Sequence, residues 1–205
     1  MKVFVTGTDT NIGKTIVCSW LALHTDHAYF KPIQCGTHPS TDSQTVKKMA
    51  GQGVFKETFC FNKPLSPHLA SALENVEIDI NTIKLPNTNN LIVEGAGGLL
   101  VPINKTTLVI DLISFLSLPV ILVTRPSLGT INHTLLSIEA LRLRKIPLLG
   151  IIMNNGIDQN NIEAIEFYGR VKVLACLPKL GHISKEVLRG VPLTEELKKI
   201  FDIKS

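Results

Sequence analysis

Aromatic residues are scarce in this chain, and none of its cysteines belongs to a Cys-x-x-Cys pair. Phe, Trp and Tyr make up 5% of the 205 residues, whereas hydrophobic residues of all kinds make up 44%. The core must therefore consist mostly of Leu, Ile and Val, which is typical of parallel strands covered on both faces. The four dispersed cysteines argue against a structural zinc site or a disulfide framework.

Long apolar runs and a strong charge of one sign are also missing. No run approaches the length of a membrane span, and Met1 leads directly into an apolar strand, so we expect neither a signal peptide nor a membrane partner. The 21 basic and 17 acidic residues leave a net charge of +4. That charge is too small to indicate a nucleic-acid partner and suits an anionic small ligand equally well. We expect a cytoplasmic protein with reduced thiols.

What the chain does contain is a phosphate-binding pattern at its front. Residues 3–5 predict a short buried strand, Gly7 ends it, and Gly13-Lys14-Thr15 opens a helical stretch. Strand, glycine loop, Gly-Lys-Thr and helix in this order predict a P-loop. The N–H groups of such a loop and the helix dipole attract phosphate oxygens. The lysine reaches the outer phosphates, and the threonine hydroxyl can ligate Mg²⁺.

The predicted loop is one residue longer than the usual pattern. Five residues separate Gly7 from Gly13, and Thr8 stands where a glycine is expected. The alternative is a tight turn that binds nothing, which we consider weaker because strand, loop, Lys-Thr and helix all agree. The nucleotide-binding residues predicted here are Asn11, Ile12, Gly13, Lys14, Thr15 and Ile16.

A second glycine cluster follows a carboxylate in the middle of the chain. Residues 91–93 predict an apolar strand that ends at Glu94, and Gly95, Ala96 and Gly97 come next. The metal-associated acid of a P-loop protein normally lies at such a strand end. The alternative is a turn with a solvated glutamate. We favour the functional interpretation, with all four residues at the nucleotide, because glycines let a ligand approach the backbone closely.

Strands and helices alternate along the rest of the chain. Strands are predicted at residues 28–32, 119–124, 148–153 and 171–176, and helices at residues 42–50, 66–74, 109–116, 129–144, 160–168 and 79–85, while residues 33–41 and 59–65 are predicted to be irregular. This alternation predicts one P-loop NTPase-like α/β domain over residues 1–205, a doubly wound, mostly parallel sheet with helices on both faces. Its ligand site should lie at the carboxyl ends of the strands. The residues that fall there are Gly7, Lys31, Glu94, Arg125, Asn154 and Pro178.

Taken together, these segments resemble one family, the dethiobiotin synthases. The matching segments, in the family's order, are Phe4-Val5-Thr6-Gly7-Thr8-Asp9-Thr10 with Gly13-Lys14-Thr15, Lys31-Pro32, Asp42, Ser66-Pro67-His68, Val93-Glu94-Gly95-Ala96-Gly97-Gly98, Leu128-Gly129-Thr130-Ile131-Asn132-His133 and Asn154. The longer P-loop is itself typical of the family. The resemblance implies an ATP-dependent ligase of biotin synthesis that converts 7,8-diaminopelargonate, CO₂ and ATP into dethiobiotin, ADP and phosphate. It further implies Mg²⁺ as cofactor and a homodimer with a composite substrate site.

The same resemblance implies roles for individual residues. The residues implied in catalysis are Lys31, Lys14 and Thr10, and those implied to hold magnesium are Thr15, Asp42 and Glu94. Further nucleotide-binding residues would be Asp42, Asn154, Asn155, Pro178, Lys179 and Leu180. The substrate would be bound by Lys31, Cys35, Gly129, Thr130, Ile131 and Asn132, the last four at a helix N-terminus that suits a carboxylate.

Each of these roles has a simpler alternative. Asp42 could be a plain helix N-cap, Lys31 a surface lysine at a strand end, and residues 129–132 an ordinary helix start. Cys35 stands where the family usually has Ser or Thr, and we expect nearby lysines and a helix N-terminus to favour a reactive thiolate that contacts the substrate. Its alternative is a neutral replacement in a loop that binds through its backbone.

Two other classes of protein share a P-loop. A dimeric switch ATPase of the partition type would carry an additional lysine near the start of the loop, where this chain has Thr8, Asp9 and Thr10. A small-molecule kinase would not need the Lys31-Pro32 pair or the second glycine cluster. Residues 193–203 have apolar side chains at helical spacing, which could suit a membrane-targeting helix. Their mixed charges favour packing on the domain instead.

Overall fold

A parallel sheet forms the centre of the molecule. The computed structural model describes residues 1–51 and 53–203. Its strands are β1 (Lys2–Gly7), β2 (Ala28–Phe30), β3 (Ile33–Cys35), β4 (Phe59–Phe61), β5 (Leu91–Gly98), β6 (Val120–Thr124), β7 (Leu148–Met153) and β8 (Val173–Cys176). Six of them form one sheet in the order β2-β5-β1-β6-β7-β8, and every neighbouring pair is parallel. The other two, β3 and β4, pair in parallel with each other.

Helices connect the strands of the large sheet. They are α1 (Lys14–Thr25), α2 (Asp42–Ala50), α3 (Pro67–Leu73), α4 (Val109–Leu116), α5 (Thr130–Leu143), α6 (Gln159–Gly169), α7 (Lys185–Arg189) and α8 (Glu195–Ile200). Because parallel neighbours require crossover connections, the chain returns over the sheet after nearly every strand. The predicted doubly wound α/β architecture is therefore confirmed.

Alternate residues of the central strands face opposite layers of helices. In β1, Val3 and Val5 pack into a buried cluster that also contains side chains of α1, α2, α7 and α8. Phe4 belongs to a second cluster, shared with α3 and α4. Successive side chains of a strand point to opposite faces. Because both faces of the sheet are covered by helices, successive positions of a central strand are buried. Such a strand therefore needs apolar residues at consecutive positions.

Two segments predicted to be irregular contain the small sheet. Residues 33–41 begin with β3, and residues 59–65 begin with β4, so both predictions are wrong at these positions. Each strand has only three residues and pairs only with the other. A run that short shows no measurable periodicity in the sequence. Two further bounds differ: β5 continues past Glu94 to Gly98, and residues 79–85 form only a 3₁₀ turn at Ile80–Thr82.

The C-terminal helices pack on the domain. The Trp20 indole N–H of α1 donates a hydrogen bond of 2.7 Å to the carbonyl of Val191. Leu193, Leu197 and Phe201 are buried in the cluster that contains α1. Packing of residues 193–203 on the domain, the favoured prediction, is confirmed. Within the described residues, no helix has both the length and the apolar character that crossing a bilayer requires.

Candidate active site

The loop between β1 and α1 has the backbone of a phosphate-binding loop. Gly13 precedes α1 with a φ of 86°, a left-handed conformation that favours glycine. A Cβ atom at Gly13 would lie 2.0 Å from Asn154 Nδ2, which donates a hydrogen bond of 2.9 Å to the carbonyl of Ile12. The Lys14 ammonium donates to the carbonyl of Asp9 at 2.9 Å. The loop is thus held from both sides before any ligand binds.

Four predicted site residues meet next to this loop. The Lys31 ammonium forms ion pairs with Asp42 and with Glu94, the latter at 3.0 Å. The Thr15 hydroxyl donates to the same Glu94 oxygen, Oε1, at 2.9 Å. Glu94 is 1% exposed and Lys31 4% exposed. The alternative of a surface lysine at position 31 is therefore excluded.

The helix that carries Asp42 is capped by a neighbouring residue. Thr41 is the N-cap of α2, and its side chain and that of Gln44 form a capping box. Asp42 is the first helical residue, and its carboxylate pairs with Lys31. The alternative interpretation of Asp42 as a plain N-cap is therefore wrong.

The two lysines of the cluster have opposite pKa shifts. Burial alone would lower the pKa of Lys31, but the Glu94 and Asp42 carboxylates outweigh burial and raise it. Burial lowers the pKa of Lys14 and nearby Lys31 lowers it further, while Glu94 acts in the opposite direction. The two carboxylates therefore favour the ammonium form of Lys31.

The oxygen groups of the cluster fit Mg²⁺. Within residues 1–51 and 53–203, no group of three or more His, Cys, Asp and Glu side chains could hold a metal alone. Asp42 and Glu94 instead offer two carboxylates that share the Lys31 ammonium, and Thr15 offers a hydroxyl bonded to Glu94. Mg²⁺ prefers hard oxygen ligands and is usually held by one or two carboxylates, with phosphate oxygens and water completing its shell.

These residues border a cleft of about 640 Å³, here called the charged cleft. Its lining includes Thr10, Lys14, Thr15, Lys31, Cys35, Asp42, Glu94, Ala96, Gly97 and residues of the segments 34–40 and 64–67. Gly97 has a φ of 71° and faces Thr10. Gly95 does not line the cleft. It lies against the Phe4 ring, which a Cβ atom would approach to 2.8 Å.

The Gln34 side chain organises one wall of the cleft, and its position between Lys31 and Cys35 was the only indication of this in the sequence. Its amide nitrogen donates to the carbonyls of Cys35 and Gly36, at 3.2 and 2.8 Å. Its amide oxygen accepts a hydrogen bond of 3.1 Å from the backbone N–H of Asp42. One buried amide thus links the segment that follows β3 to the start of α2.

Cys35 lines the charged cleft, but its expected ionisation is wrong. Burial raises the pKa of the Cys35 thiol to about 11, and the opposing effect of Lys31 is smaller. Lys31 itself is paired with Asp42 and Glu94. Cys35 therefore offers the cleft a neutral S–H group.

A second pocket, the amide pocket, opens on the other side of Gly13. It has a volume of about 440 Å³ and is lined by Asn11, Ile12, Gly13, Ile16, Arg125, Ser127, Asn154, Asn155, Pro178, Leu180 and Ile183. Six of the predicted nucleotide-binding residues of the P-loop and of the segment after β8 lie there together with Asn154 and Asn155. Lys179 is not part of the lining.

The predicted carboxylate-binding segment lies apart from both pockets. Gly129 precedes α5, and Thr130, Ile131 and Asn132 form its first turn. None of the four lines the charged cleft or the amide pocket, although all are among the described residues. His133, in the same helical turn region, instead lines a third pocket together with Thr8 and Asp9 of the P-loop.

Comparisons with known proteins point to one family. A family model described as an AAA domain matches residues 1–187. The ATP-dependent dethiobiotin synthetase BioD of Lawsonia intracellularis is 55% identical over 201 residues, covering 98% of this chain and 99% of that protein. The protein of the same name from Paramagnetospirillum magneticum is 46% identical over 192 residues, covering 93% and 94%.

A solved structure shares the fold at much lower identity. The MinC:MinD cell division protein complex of Aquifex aeolicus matches with a TM-score of 0.60 and 13% identity, covering 100% of this chain and 96% of that one. At this identity the likeness shows only the fold, a P-loop sheet of the same architecture.

Proposed function

The chain belongs to the ATP-dependent dethiobiotin synthetase family, whose members are ligases of biotin biosynthesis, and we propose on that premise that it uses 7,8-diaminopelargonate, CO₂, ATP and Mg²⁺. The observation that carries the proposal is the buried contact of Lys31 with Asp42 and Glu94 beside the P-loop. The MinC:MinD cell division protein complex shares this fold, but at 13% identity. We also propose a cytoplasmic location.

The reaction begins with a carbamate. One amine nitrogen of the substrate bonds to the carbon of CO₂ and releases a proton, so that amine must first be neutral. The ammonium groups of Lys14 and Lys31 disfavour a third positive charge nearby and thereby favour the neutral amine. The released proton passes to solvent or to the substrate's other amine.

Phosphoryl transfer then joins two anions. A carbamate oxygen bonds to the γ-phosphorus as the bond to ADP breaks, and the approach is feasible only where positive charge is concentrated. Lys14 reaches the phosphates from the P-loop, and Lys31 lies where the carbamate enters from the charged cleft. Bound Mg²⁺, held by Thr15, Asp42 and Glu94, would neutralise phosphate charge. The second amine finally attacks the carbamoyl carbon, expels phosphate and loses a proton.

The amide pocket suits the adenine base. Because Asn154 Nδ2 donates to the carbonyl of Ile12, the amide orientation is set and Oδ1 is the atom left for a ligand. That oxygen accepts a hydrogen bond, as the adenine 6-amino group requires, whereas the guanine 6-oxygen would be repelled. Pro178 and Leu180 supply apolar surface for the base.

We further propose that a second copy of the chain completes the substrate site. The N–H groups at the start of α5 suit the substrate carboxylate, yet they do not reach the charged cleft of their own chain. Mixing a Lys14→Ala chain with a Gly129→Trp chain should restore part of the activity through hybrid dimers. Hybrids that form but remain inactive would show that each site is built from one chain.

A turnover assay tests the function. The protein is given MgATP, bicarbonate and diaminopelargonate, and the organic product is identified by mass. We expect dethiobiotin, with strict dependence on ATP and a divalent metal, and little phosphate release without diaminopelargonate. Phosphate release at an undiminished rate in its absence, with no dethiobiotin formed, would instead support a switch ATPase.

A further inference from the structure

Tyr29 is a buried residue beside the charged cleft that the reaction above does not use. It lies in β2, is 1% exposed and packs in the same apolar cluster as Val17 and Ile92. Its hydroxyl donates a hydrogen bond of 2.8 Å to Glu94 Oε2. The buried Cys18 thiol also lies within hydrogen-bonding reach of the Glu94 carboxylate.

The register of the sheet brings this hydroxyl to Glu94. Tyr29 is opposite Ile92 in the parallel pair β2–β5, and Glu94 lies two residues further along the same face of β5. The tyrosine side chain is long enough to reach this diagonal neighbour, as its hydrogen bond to Glu94 shows. Lys31 is two residues beyond Tyr29 and reaches the same carboxylate.

The two oxygens of Glu94 consequently have different partners. Oε1 accepts from Thr15 and Lys31, which both line the charged cleft, and Oε2 accepts from Tyr29. The backbone around Tyr29 is itself fixed. Its N–H donates to the carbonyl of Gly53 at 2.7 Å, and its carbonyl accepts from Phe55 at 2.9 Å. The tyrosine therefore prevents the carboxylate from rotating and exchanging its oxygens.

We propose that Tyr29 is a positioning residue that keeps Glu94 Oε1 directed into the charged cleft for the metal ion. The inference rests on the proposed role of Glu94 as a ligand of Mg²⁺. Groups that hydrogen-bond a metal ligand from behind fix its orientation, and their loss typically weakens metal affinity or activity about 10–100-fold. Neither a motif nor spacing along the chain indicates Tyr29, because the contact joins two strands 65 positions apart.

The test measures metal binding without turnover. Tyr29→Phe removes the hydroxyl and keeps the ring in the core. Mn²⁺ binding is followed by electron paramagnetic resonance in the presence of a non-hydrolysable ATP analogue, and binding of that analogue in EDTA by calorimetry. We expect Tyr29→Phe to weaken Mn²⁺ binding about tenfold and to leave binding of the analogue in EDTA unchanged. The control is Tyr168→Phe, which removes the hydroxyl of an exposed tyrosine and should change neither quantity.

Glu94→Gln separates this inference from the proposed function. If Glu94→Gln weakens Mn²⁺ binding but Tyr29→Phe does not, the metal ligand stands and the role of Tyr29 is refuted. If Glu94→Gln has no effect, the proposed ligand itself is refuted. In the double variant, the loss should equal that of Glu94→Gln alone, because a positioning residue acts only through its partner. Losses of Mn²⁺ affinity that add in the double variant would overturn the proposal. So would a loss of affinity of Tyr29→Phe for the ATP analogue in EDTA that equals its loss of Mn²⁺ affinity.

Discussion

The charged cleft and the amide pocket lie on the two sides of the same loop, yet their walls have opposite character. The cleft is lined by charged groups: Lys14, Lys31 and Glu94 are buried, and Lys31 pairs with Glu94 and with the partly exposed Asp42. Among the residues that line the amide pocket, Arg125 is the only charged one. Buried ions must be paired because an unpaired charge is costly to bury. Neutral amides can instead be oriented by a single hydrogen bond.

This difference suggests a division of roles. The cleft holds charge where charge moves during phosphoryl transfer, and the pocket provides neutral contacts to a part of the nucleotide that does not react. Substitutions of the charged residues in the cleft should therefore lower kcat. Damage to the pocket should mainly raise the KM for ATP. Gly13 and Asn154 join the two regions through the hydrogen bond to Ile12.

The largest effect is expected from Lys31→Ala. The variant removes a preorganised charge from the reacting groups, and such a loss costs roughly a hundredfold or more in kcat/KM. Steady-state kinetics should show the loss mainly in kcat, and Lys31→Arg should recover part of it.

The matched control is Lys47→Ala, which removes an exposed lysine of α2. Circular dichroism must confirm folding, because the variant leaves Glu94 with one partner fewer. Near-normal activity of Lys31→Ala would remove this lysine from the mechanism.

A smaller and different effect is expected from Asn154→Ala. The variant loses the predicted contact to the base and the hydrogen bond to Ile12, so the KM for ATP should rise about tenfold, the scale of one or two hydrogen bonds. The kcat should change little, and discrimination against GTP should weaken. Asn160→Ala, at an exposed position of α6, controls for loss of an amide elsewhere. A fall in kcat with unchanged KM would contradict the division between cleft and pocket.

The smallest effect is expected from Cys35→Ser. Because burial raises the pKa of this thiol to about 11, little thiolate is present near neutral pH. Alkylation of Cys35 should therefore accelerate steadily as pH rises from 7 to 10, and diaminopelargonate should slow it. Turnover by Cys35→Ser should be retained or increased, since a hydroxyl is the better hydrogen-bonding group. Alkylation that is already maximal at pH 8, or is equally fast with saturating substrate, would contradict a neutral thiol at the substrate.

The sequence predicted those parts of the site that depend on local patterns. The P-loop, Lys31-Pro32 and the cluster after Glu94 each combine a strand end with residues of special chemistry. The structure brings these segments together because parallel strands end at one edge of a sheet. The metal-binding and catalytic roles of the residues involved stay predictions. Asn154 likewise follows β7 and reaches the P-loop.

The rest depends on contacts between distant segments. Tyr29 and Gln34 act through hydrogen bonds that require the register of β2 with β5 and the position of α2. The small sheet of β3 and β4 is too short to have a pattern of its own. The thiolate expected at Cys35 was wrong because burial raises the pKa of this thiol more than Lys31 lowers it, and burial depends on segments that only the fold brings together. Single-sequence patterns do not contain such pairings.

The central claim is that the cleft transfers a phosphoryl group to a carbamate rather than to water. In the direct measurement, the protein is given MgATP, diaminopelargonate and ¹⁸O-labelled bicarbonate. The reaction is stopped before the bicarbonate exchanges its ¹⁸O with water, and the mass of the released phosphate is determined. If the carbamate attacks the γ-phosphorus, one of its oxygens stays on phosphorus when the second amine expels phosphate. We therefore predict one ¹⁸O atom in each phosphate released with dethiobiotin. Unlabelled phosphate, formed at the same rate as dethiobiotin, would contradict the account.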